Sequence, residues 1–256
     1  MDDHSPTDLS EARLREVLGS RAFRFYPQIG STNDEALAWL AEDAPNGSVI
    51  IADEQTKGRG RLGRSWFSPP GTALMFSYLL RPHLDELSYV GMAGALAVCE
   101  VVKSPDSSLP VGIKWPNDVQ IVGRKLCGVL PEAIWQGNQL VGVALGIGIN
   151  IRIDFADSPY AETAVSLETV SRPLDRAELL AHLLERLDFW AARLSSDQLF
   201  EAWRSRLVTL GQQVSISNNG GTVNGTAKEV ERSGALIIDD NSGTLRRVIA
   251  GDITLG

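Results

Sequence analysis

The sequence predicts an α+β fold: a mixed, largely antiparallel sheet carrying helices, followed by a small all-β unit at the C-terminus. Three observations predict it. Between residues 111 and 151, apolar runs alternate with tight glycine turns, a pattern that indicates antiparallel pairing. Helical apolar periodicity flanks that block on both sides. After Gly211 only short strand-like stretches remain, separated by turns of Gly and Asn. The expected boundary divides a larger domain, 1–207, from a smaller one, 208–256.

The elements follow in order. Residues 8–18 predict a short helix, with Leu9, Leu14 and Leu18 apolar among charges. Thr32 and Glu35 spell a T-x-x-E capping box, and Ala36, Leu37, Leu40 and Ala41 give the apolar face of the helix it opens. Residues 48–52 read as a buried strand. A loop rich in glycine and arginine follows at 57–64, then Trp66 and a Pro69-Pro70-Gly71 turn. A strand is predicted over 72–80 and a helix over 87–102, where Gly91, Ala93, Gly94 and Ala97 suit close packing on a sheet. Strands are predicted at 111–115, 119–122, 125–135 and 140–151, with turns at Gly123-Arg124 and Gly137-Asn138. Asp175 and Glu178 cap a long amphipathic helix carrying Leu179, Leu180, Leu183, Leu187 and Trp190, and 196–207 predicts a second.

Composition narrows the function classes. The chain has 256 residues, is 43% hydrophobic and 22% charged, and carries a formal net charge of -8. An acidic chain repels a phosphate backbone, so nucleic acid is not an expected partner. Cys99 and Cys127 are the two cysteines; far apart and without a CxxC, they suggest a reducing, cytoplasmic setting rather than a disulfide framework. His4, His83 and His182 lack metal-ligand spacing, so no protein-bound metal is expected. The acidic N-terminus does not read as a secretory signal. No apolar run approaches the ~20 residues of a membrane span, so no membrane association is expected.

The segment Lys57-Gly58-Arg59-Gly60-Arg61-Leu62-Gly63-Arg64-Ser65-Trp66 is the most informative. Gly58, Gly60 and Gly63 satisfy G-x-G-x-x-G, but that dinucleotide fingerprint must open a helix, and Pro69-Pro70-Gly71 follows instead. A Walker A loop fails for want of Gly-Lys-Ser/Thr. What remains is a mobile loop offering backbone N–H groups and the guanidinium forks of Arg59, Arg61 and Arg64. Guanidinium binds carboxylate and phosphate in bidentate fashion, and glycines let the backbone approach closely. A solvated basic loop and an RNA-binding RGG segment are the alternatives. The latter needs repetition and a basic surround, whereas three arginines in one loop of an acidic protein fit a small anionic ligand better.

Lys114-Trp115-Pro116-Asn117-Asp118 and Lys125-Leu126-Cys127-Gly128-Val129-Leu130 place lysines in strands apolar enough to be buried. A buried lysine needs an anion, either a ligand or a carboxylate such as Asp118 across the hairpin from Lys125. Ser31-Thr32-Asn33, taken alone, is only a helix cap.

Taken together, Ser31-Thr32-Asn33, Gln55, the 58–66 loop, the 114–118 and 125–130 runs and Gly146-Ile147-Gly148-Ile149-Asn150 resemble, in order and spacing, the biotin–protein ligase family. The resemblance covers nearly the whole chain. Gly225-Thr226-Ala227, Gly234-Ala235-Leu236 and Gly251-Asp252-Ile253 look like that family's C-terminal domain, though less specifically. The fold it implies is a class II synthetase-like catalytic domain with an SH3-like C-terminal barrel. Three departures stand out. About thirty residues precede Ser31, too few for a helix-turn-helix, so the form without a DNA-binding domain is expected. Cys127 stands where small residues are usual, and Pro131 interrupts a strand, which suggests a bulge or an edge.

The resemblance implies activation of biotin by ATP, with Mg²⁺, and transfer of biotin to a lysine of a biotin carboxyl carrier protein, by a monomer or homodimer. Ser31, Thr32, Asn33 and Gln55 would hold the ureido ring, Gly58 and Gly60 would bind biotin through the close approach of the loop backbone, and Gly128, Gly146 and Gly148 would leave room for it. Arg59 and Arg61 would close over carboxylate and phosphate, and Lys125, with Asp118 and Arg61, would carry catalysis. Trp66 would stack on adenine, with Asn117 and Asn150 at its edge and Arg64 and Lys114 near pyrophosphate. Rival readings are a lipoate–protein ligase, whose arginine-rich glycine motif and histidine partner are missing, and a sensor that binds the adenylate without transferring it.

Overall fold

The computed structural model describes residues 8–66, 68–103, 109–218, 221–240 and 242–255. Helix α1 (Glu11–Leu18) is capped by Ser10, whose side chain accepts from Arg13 N. Strand β1 (Phe23–Ile29) leads to α2 (Thr32–Ala41), β2 (Val49–Gln55), β3 (Ala73–Leu80) and α3 (Leu87–Lys103). Four strands follow: β4 (Val111–Lys114), β5 (Asp118–Ile121), β6 (Arg124–Gln136) and β7 (Gln139–Asn150). Then come α4 (Leu167–Val170), α5 (Arg176–Ala191) and α6 (Asp197–Arg204). The C-terminal strands are β8 (Gln213–Asn218), β9 (Gly221–Val230), β10 (Leu236–Asp240), β11 (Leu245–Val248) and β12 (Asp252–Leu255).

The first seven strands form one sheet in the order β1-β2-β3-β7-β6-β5-β4, parallel only between β1 and β2. Strand β3 is buried at all eight positions, as a central strand covered on both faces must be. On one face α2 packs Ala36 and Leu40 against Ile50, Leu79 and Ala144. The main core lies on the other face, under α3, α5 and α6. A Cβ at Gly94 of α3 would stand 2.9 Å from Val129 and 3.2 Å from Leu145, so glycine is what lets this helix lie on β6 and β7. The remaining strands form a five-stranded antiparallel sheet, β11-β10-β9-β8-β12. Among the described residues, no helix is long and apolar enough to cross a membrane.

Several expectations are corrected. Strand β1 is absent from the sequence reading because Arg24, Pro27 and Gln28 break its alternation. It survives as an edge strand, with Arg24 stacked 4.3 Å over the Trp39 ring of α2. The T-x-x-E box does not form. Ser31 occupies the N-cap, the Thr32 hydroxyl turns to Gln55, and Glu35 accepts from Arg24 and Tyr26. Ala41 is exposed rather than part of the apolar face. Asp175 does cap α5, accepting from Ala177 N and Glu178 N, while the Glu178 carboxylate pairs with Arg13. The first hairpin turn falls at Val122-Gly123, both at positive φ, rather than at Gly123-Arg124. Pro131 sits where β6 has passed beyond its pairing with β5, which ends at Gly128, so its missing N–H faces an open edge.

Arg176 was not anticipated. It is fully buried at the start of α5, where the helix dipole disfavours a cation, and it is held by Asp8, Asp53 and the Ala73 carbonyl.

Candidate active site

One end of the site is a neutral hydrogen-bond network where α2 starts above β2 and β3. Gln55 Oε1, at the end of β2, accepts from Thr32 N at 2.7 Å and from Thr32 Oγ1 at 3.0 Å. Ser77, fully buried on β3, places its Oγ 2.6 Å from Asn33 Oδ1 and 2.8 Å from Thr32 Oγ1. Asn33 Nδ2 donates to Leu130 O at 3.1 Å and to Glu132 Oε2 at 2.6 Å. A Cβ at Gly146 would lie 2.5 Å from Asn33 Oδ1, so the glycine admits the asparagine itself.

The arginine loop is a small hairpin. Trp66 N donates to Gly58 O, Gly60 N donates to Arg64 O, Arg59 bridges to Ser65, and a 3₁₀ turn spans Arg61–Gly63 with Gly63 at φ 73°. A side chain at Gly58 would meet Trp66 O at 2.7 Å, which requires glycine there. The sequence predicts a mobile loop with three guanidinium forks open to a small anion. Instead Arg59 is bidentate to Asp34, at 2.7 and 2.8 Å, and reaches Glu132 at 3.1 Å. Asp34 is held below the usual carboxylate range by that guanidinium. The Trp66 indole lies over Gly128 and Gly148, where added Cβ atoms would come within 3.1 and 2.8 Å of its ring, and its Nε1 is buried without a hydrogen-bond partner.

The other end is cationic. Arg61 donates to Asn117 Oδ1 at 3.1 Å and to Gly251 O at 3.4 Å. Burial pulls its basicity down; Asp118 opposes this and Arg64 adds to it. Lys114 is likewise depressed by burial, against Asp118 and in the same sense as Lys125 and Arg64. Lys125 Nζ pairs with Asp118 Oδ1 at 2.9 Å and lies 5.8 Å from the Trp66 ring centre. Both lysines are only partly buried, less than the apolar strands predict, since the ends of β4 and β6 open into the cleft. Asn117 donates to Val129 O, and Asn150 donates to Lys125 O and Val165 O, so both amides also stitch the walls.

Every site residue expected from the sequence except Gly58 lines a single cleft of about 670 Å³, within the usual range for a small-molecule site. It has a neutral, donor- and acceptor-rich end and a crowded cationic end. The Biotin/lipoate A/B protein ligase family model matches residues 25–150, and the Biotin protein ligase C terminal domain model matches 209–256. A biotin–[acetyl-CoA-carboxylase] ligase of Mycobacterium tuberculosis is 33% identical, over 96% of this chain and 95% of that protein. The bifunctional ligase/repressor BirA of Bacillus subtilis is 30% identical, over 98% of this chain and 80% of that one. The chain belongs to the biotin protein ligase family. Among solved structures, an Aquifex aeolicus biotin protein ligase in complex with biotin and ATP superposes with a TM-score of 0.78. It is 27% identical, over 92% of this chain and 98% of that one.

For a biotin protein ligase, sequence reasoning left out several groups that the fold brings to the cleft. Gly251 and Ile253 arrive from the C-terminal sheet, and Phe155 and Tyr160 from the segment after β7. Ser77 and Glu132 complete the neutral network. Ser77 is signalled by a small polar residue in the otherwise apolar and aromatic run of β3, and Glu132 by a carboxylate in a strand otherwise largely apolar. The Gly251-Asp252-Ile253 run points to the C-terminal domain, but nothing local signals that it reaches the cleft.

Proposed function

We propose that this chain joins biotin to ATP as biotinyl-adenylate and then passes the biotinyl group to a lysine of a carboxylase's biotin carrier protein. The observation that carries this reading is one cleft that sets the neutral hydrogen-bonding network of Thr32, Asn33 and Gln55 beside Arg61, Arg64, Lys114 and Lys125. Partial burial lowers the basicity of Lys114 and Arg61, which favours an anionic partner there. An oxygen of the biotin carboxylate attacks the α-phosphorus of ATP, and the bond to the bridging oxygen breaks as pyrophosphate leaves. The neutral lysine amine then attacks the acyl carbon, AMP departs with the anhydride oxygen, and the surplus proton goes to solvent.

Both steps gather negative charge on oxygen, so positioning and electrostatic stabilisation carry the rate. Ser31, Thr32, Asn33 and Gln55 take the ureido ring. Lys125, held by Asp118, faces the carboxylate and α-phosphate with Arg61, while Arg64 and Lys114 take the pyrophosphate, and Trp66 and Asn150 flank adenine. Among the described residues there is no group of three or more acidic, histidine or cysteine side chains placed to hold a metal ion; Mg²⁺ brought in with ATP would supply charge neutralisation at the phosphates. Residues 208–256 act as a C-terminal domain that closes this end.

Mass spectrometry of a carrier domain incubated with the protein, ATP and either biotin or lipoate tests the reading. The expected product is a single biotin adduct. Lipoate transfer, or adenylate that forms without transfer, would overturn it.

A further inference from the structure

Glu132 serves two partners at once. Its Oε2 accepts from Asn33 Nδ2 at 2.6 Å, and its two oxygens lie 3.1 and 3.3 Å from Arg59 Nη2. It sits on β6 beyond Gly128, past the end of the pairing with β5. A carboxylate on an open strand edge is ordinarily solvated. This one is claimed by an amide from the neutral end of the cleft and by a guanidinium from the arginine loop.

The first consequence concerns Asn33. Both N–H groups of its amide are committed, one to Leu130 O and one to Glu132, and its oxygen accepts from Ser77. Turning the amide over would set its oxygen against a carbonyl and a carboxylate, so the orientation is fixed. Asn33 therefore offers a ligand only the remaining lone pair of Oδ1. That selects a ligand N–H, which a ureido ring carries and a dithiolane ring lacks, and polar selection of this kind discriminates strongly. The second consequence concerns Arg59, which Glu132 and Asp34 together hold against the body of the protein.

We propose that Glu132 is a positioning residue that fixes Asn33 as an acceptor and ties it to Arg59, so that ring recognition and closure of the 58–66 loop depend on one carboxylate. The proposal rests on the reading of the cleft as a biotin site.

Glu132→Gln keeps the side-chain size but removes the charge. In biotin-dependent ATP–pyrophosphate exchange, the variant should raise the KM for biotin about tenfold or more, the scale of losing a charge-assisted hydrogen bond. The KM for ATP and kcat should stay within about threefold, since a purely structural fault would move all three. Glu132→Asp, too short to span both partners, should recover less than half of the loss. In the unliganded protein, trypsin should cut after Arg59 about five times faster in Glu132→Gln, because local opening governs cleavage.

An unchanged KM for biotin, or unchanged cleavage after Arg59, would overturn the link. So would parallel losses in kcat and both KM values together with a lowered Tm. If the wild-type protein shows no biotin-dependent exchange, the biotin reading falls, and the cleavage comparison still judges the clamp.

Discussion

Substituting Lys125 by alanine separates a catalytic lysine from half of a structural ion pair. Its ammonium lies 2.9 Å from Asp118, and the two side chains are 39% and 31% exposed. A pair so open to solvent contributes about 0–1 kcal/mol. In a chain of this size that is a Tm change of roughly 2–4 °C at most. A cation facing charge that develops only in the transition state is worth far more: losing one such donor costs about 2.7–4 kcal/mol, or roughly 10²–10³ in rate. Single-turnover pyrophosphate release at saturating biotin and ATP, with thermal melts in parallel, measures both quantities. Lys125→Ala should lose at least about a hundredfold in rate while melting within a few degrees of wild type. Asp118→Asn should melt similarly but lose only about tenfold, because the lysine is retained and merely less well aimed. A near-normal rate in Lys125→Ala would assign the residue to the ion pair and remove it from the mechanism. A raised KM for biotin with unchanged kcat would also refute the argument, since it would mean that substrate and transition state are held equally.

The two glycines of β7 should separate the two ends of the cleft. Gly146→Ala, with its Cβ 2.5 Å from Asn33 Oδ1, should raise the KM for biotin. Gly148→Ala, 2.8 Å from the Trp66 ring, should raise the KM for ATP. Each effect should be about tenfold, and steady-state kinetics giving the reverse assignment would count against the proposed layout. Burial pushes the Cys99 thiol up to about 12 and raises that of Cys127 as well, so Ellman's reagent should titrate neither in the native protein and both after denaturation. Prompt native labelling would show that the wall behind Gly128 opens. Glu168 is held below its ordinary 4.5 by the Arg152 hydrogen bond. For Asp8, burial pushes upward, but hydrogen bonds from Arg176 and Arg152 outweigh it and the carboxyl is lowered. A depressed carboxylate stabilises the fold above its unfolded pKa, and that contribution is lost as pH falls through the folded value. Tm should therefore drop steeply below pH 4.5, and less steeply in Arg152→Met; equal slopes would deny the pair this role.

What the sequence made legible is local. The 58–66 loop excluded a Rossmann site because prolines follow it at once, and the structure gives a hairpin there with no following helix. The β6–β7 hairpin was readable because Gly137-Asn138 is a two-residue turn between apolar runs, and Gln136 faces Gln139 as that requires. The errors lie where a side chain has a tertiary choice. Thr32 could cap its own helix but donates to Gln55 instead, which local spacing cannot reveal. Apolar neighbours predict a buried Lys125, yet the strand end on which it sits forms the wall of a cleft. Strand β1 pairs in parallel with β2 and seats Arg24 over Trp39, fifteen residues later, contacts that no alternation rule expresses.

The C-terminal sheet shows why the cationic end, in particular, could not be assembled from motifs. Trp115 is 1% exposed; its backbone N donates to Thr209 Oγ1 at 2.9 Å, and its indole donates to Gly234 O at 2.8 Å. Beside it, Ile113 N donates to Arg206 O and Val208 N to Ile113 O, so the chain leaving α6 is bonded to β4 on both sides of one residue. A Cβ at Gly112 would come 2.2 Å from Val208, and glycine is what allows that approach. The C-terminal strands are thereby anchored to the segment that carries Lys114, Asn117 and Asp118. The anchoring brings Gly251 to the cleft, where its carbonyl accepts from Arg61. A backbone carbonyl is a neutral partner. It orients the guanidinium without cancelling its charge, whereas the carboxylates of Asp34 and Glu132 neutralise Arg59. The two arginines of one loop are therefore held differently, Arg59 by two carboxylates and Arg61 by the neutral oxygens of Asn117 and Gly251. One of those oxygens comes from the turn that leads into β12, far from the loop in sequence, which no motif in the loop could announce.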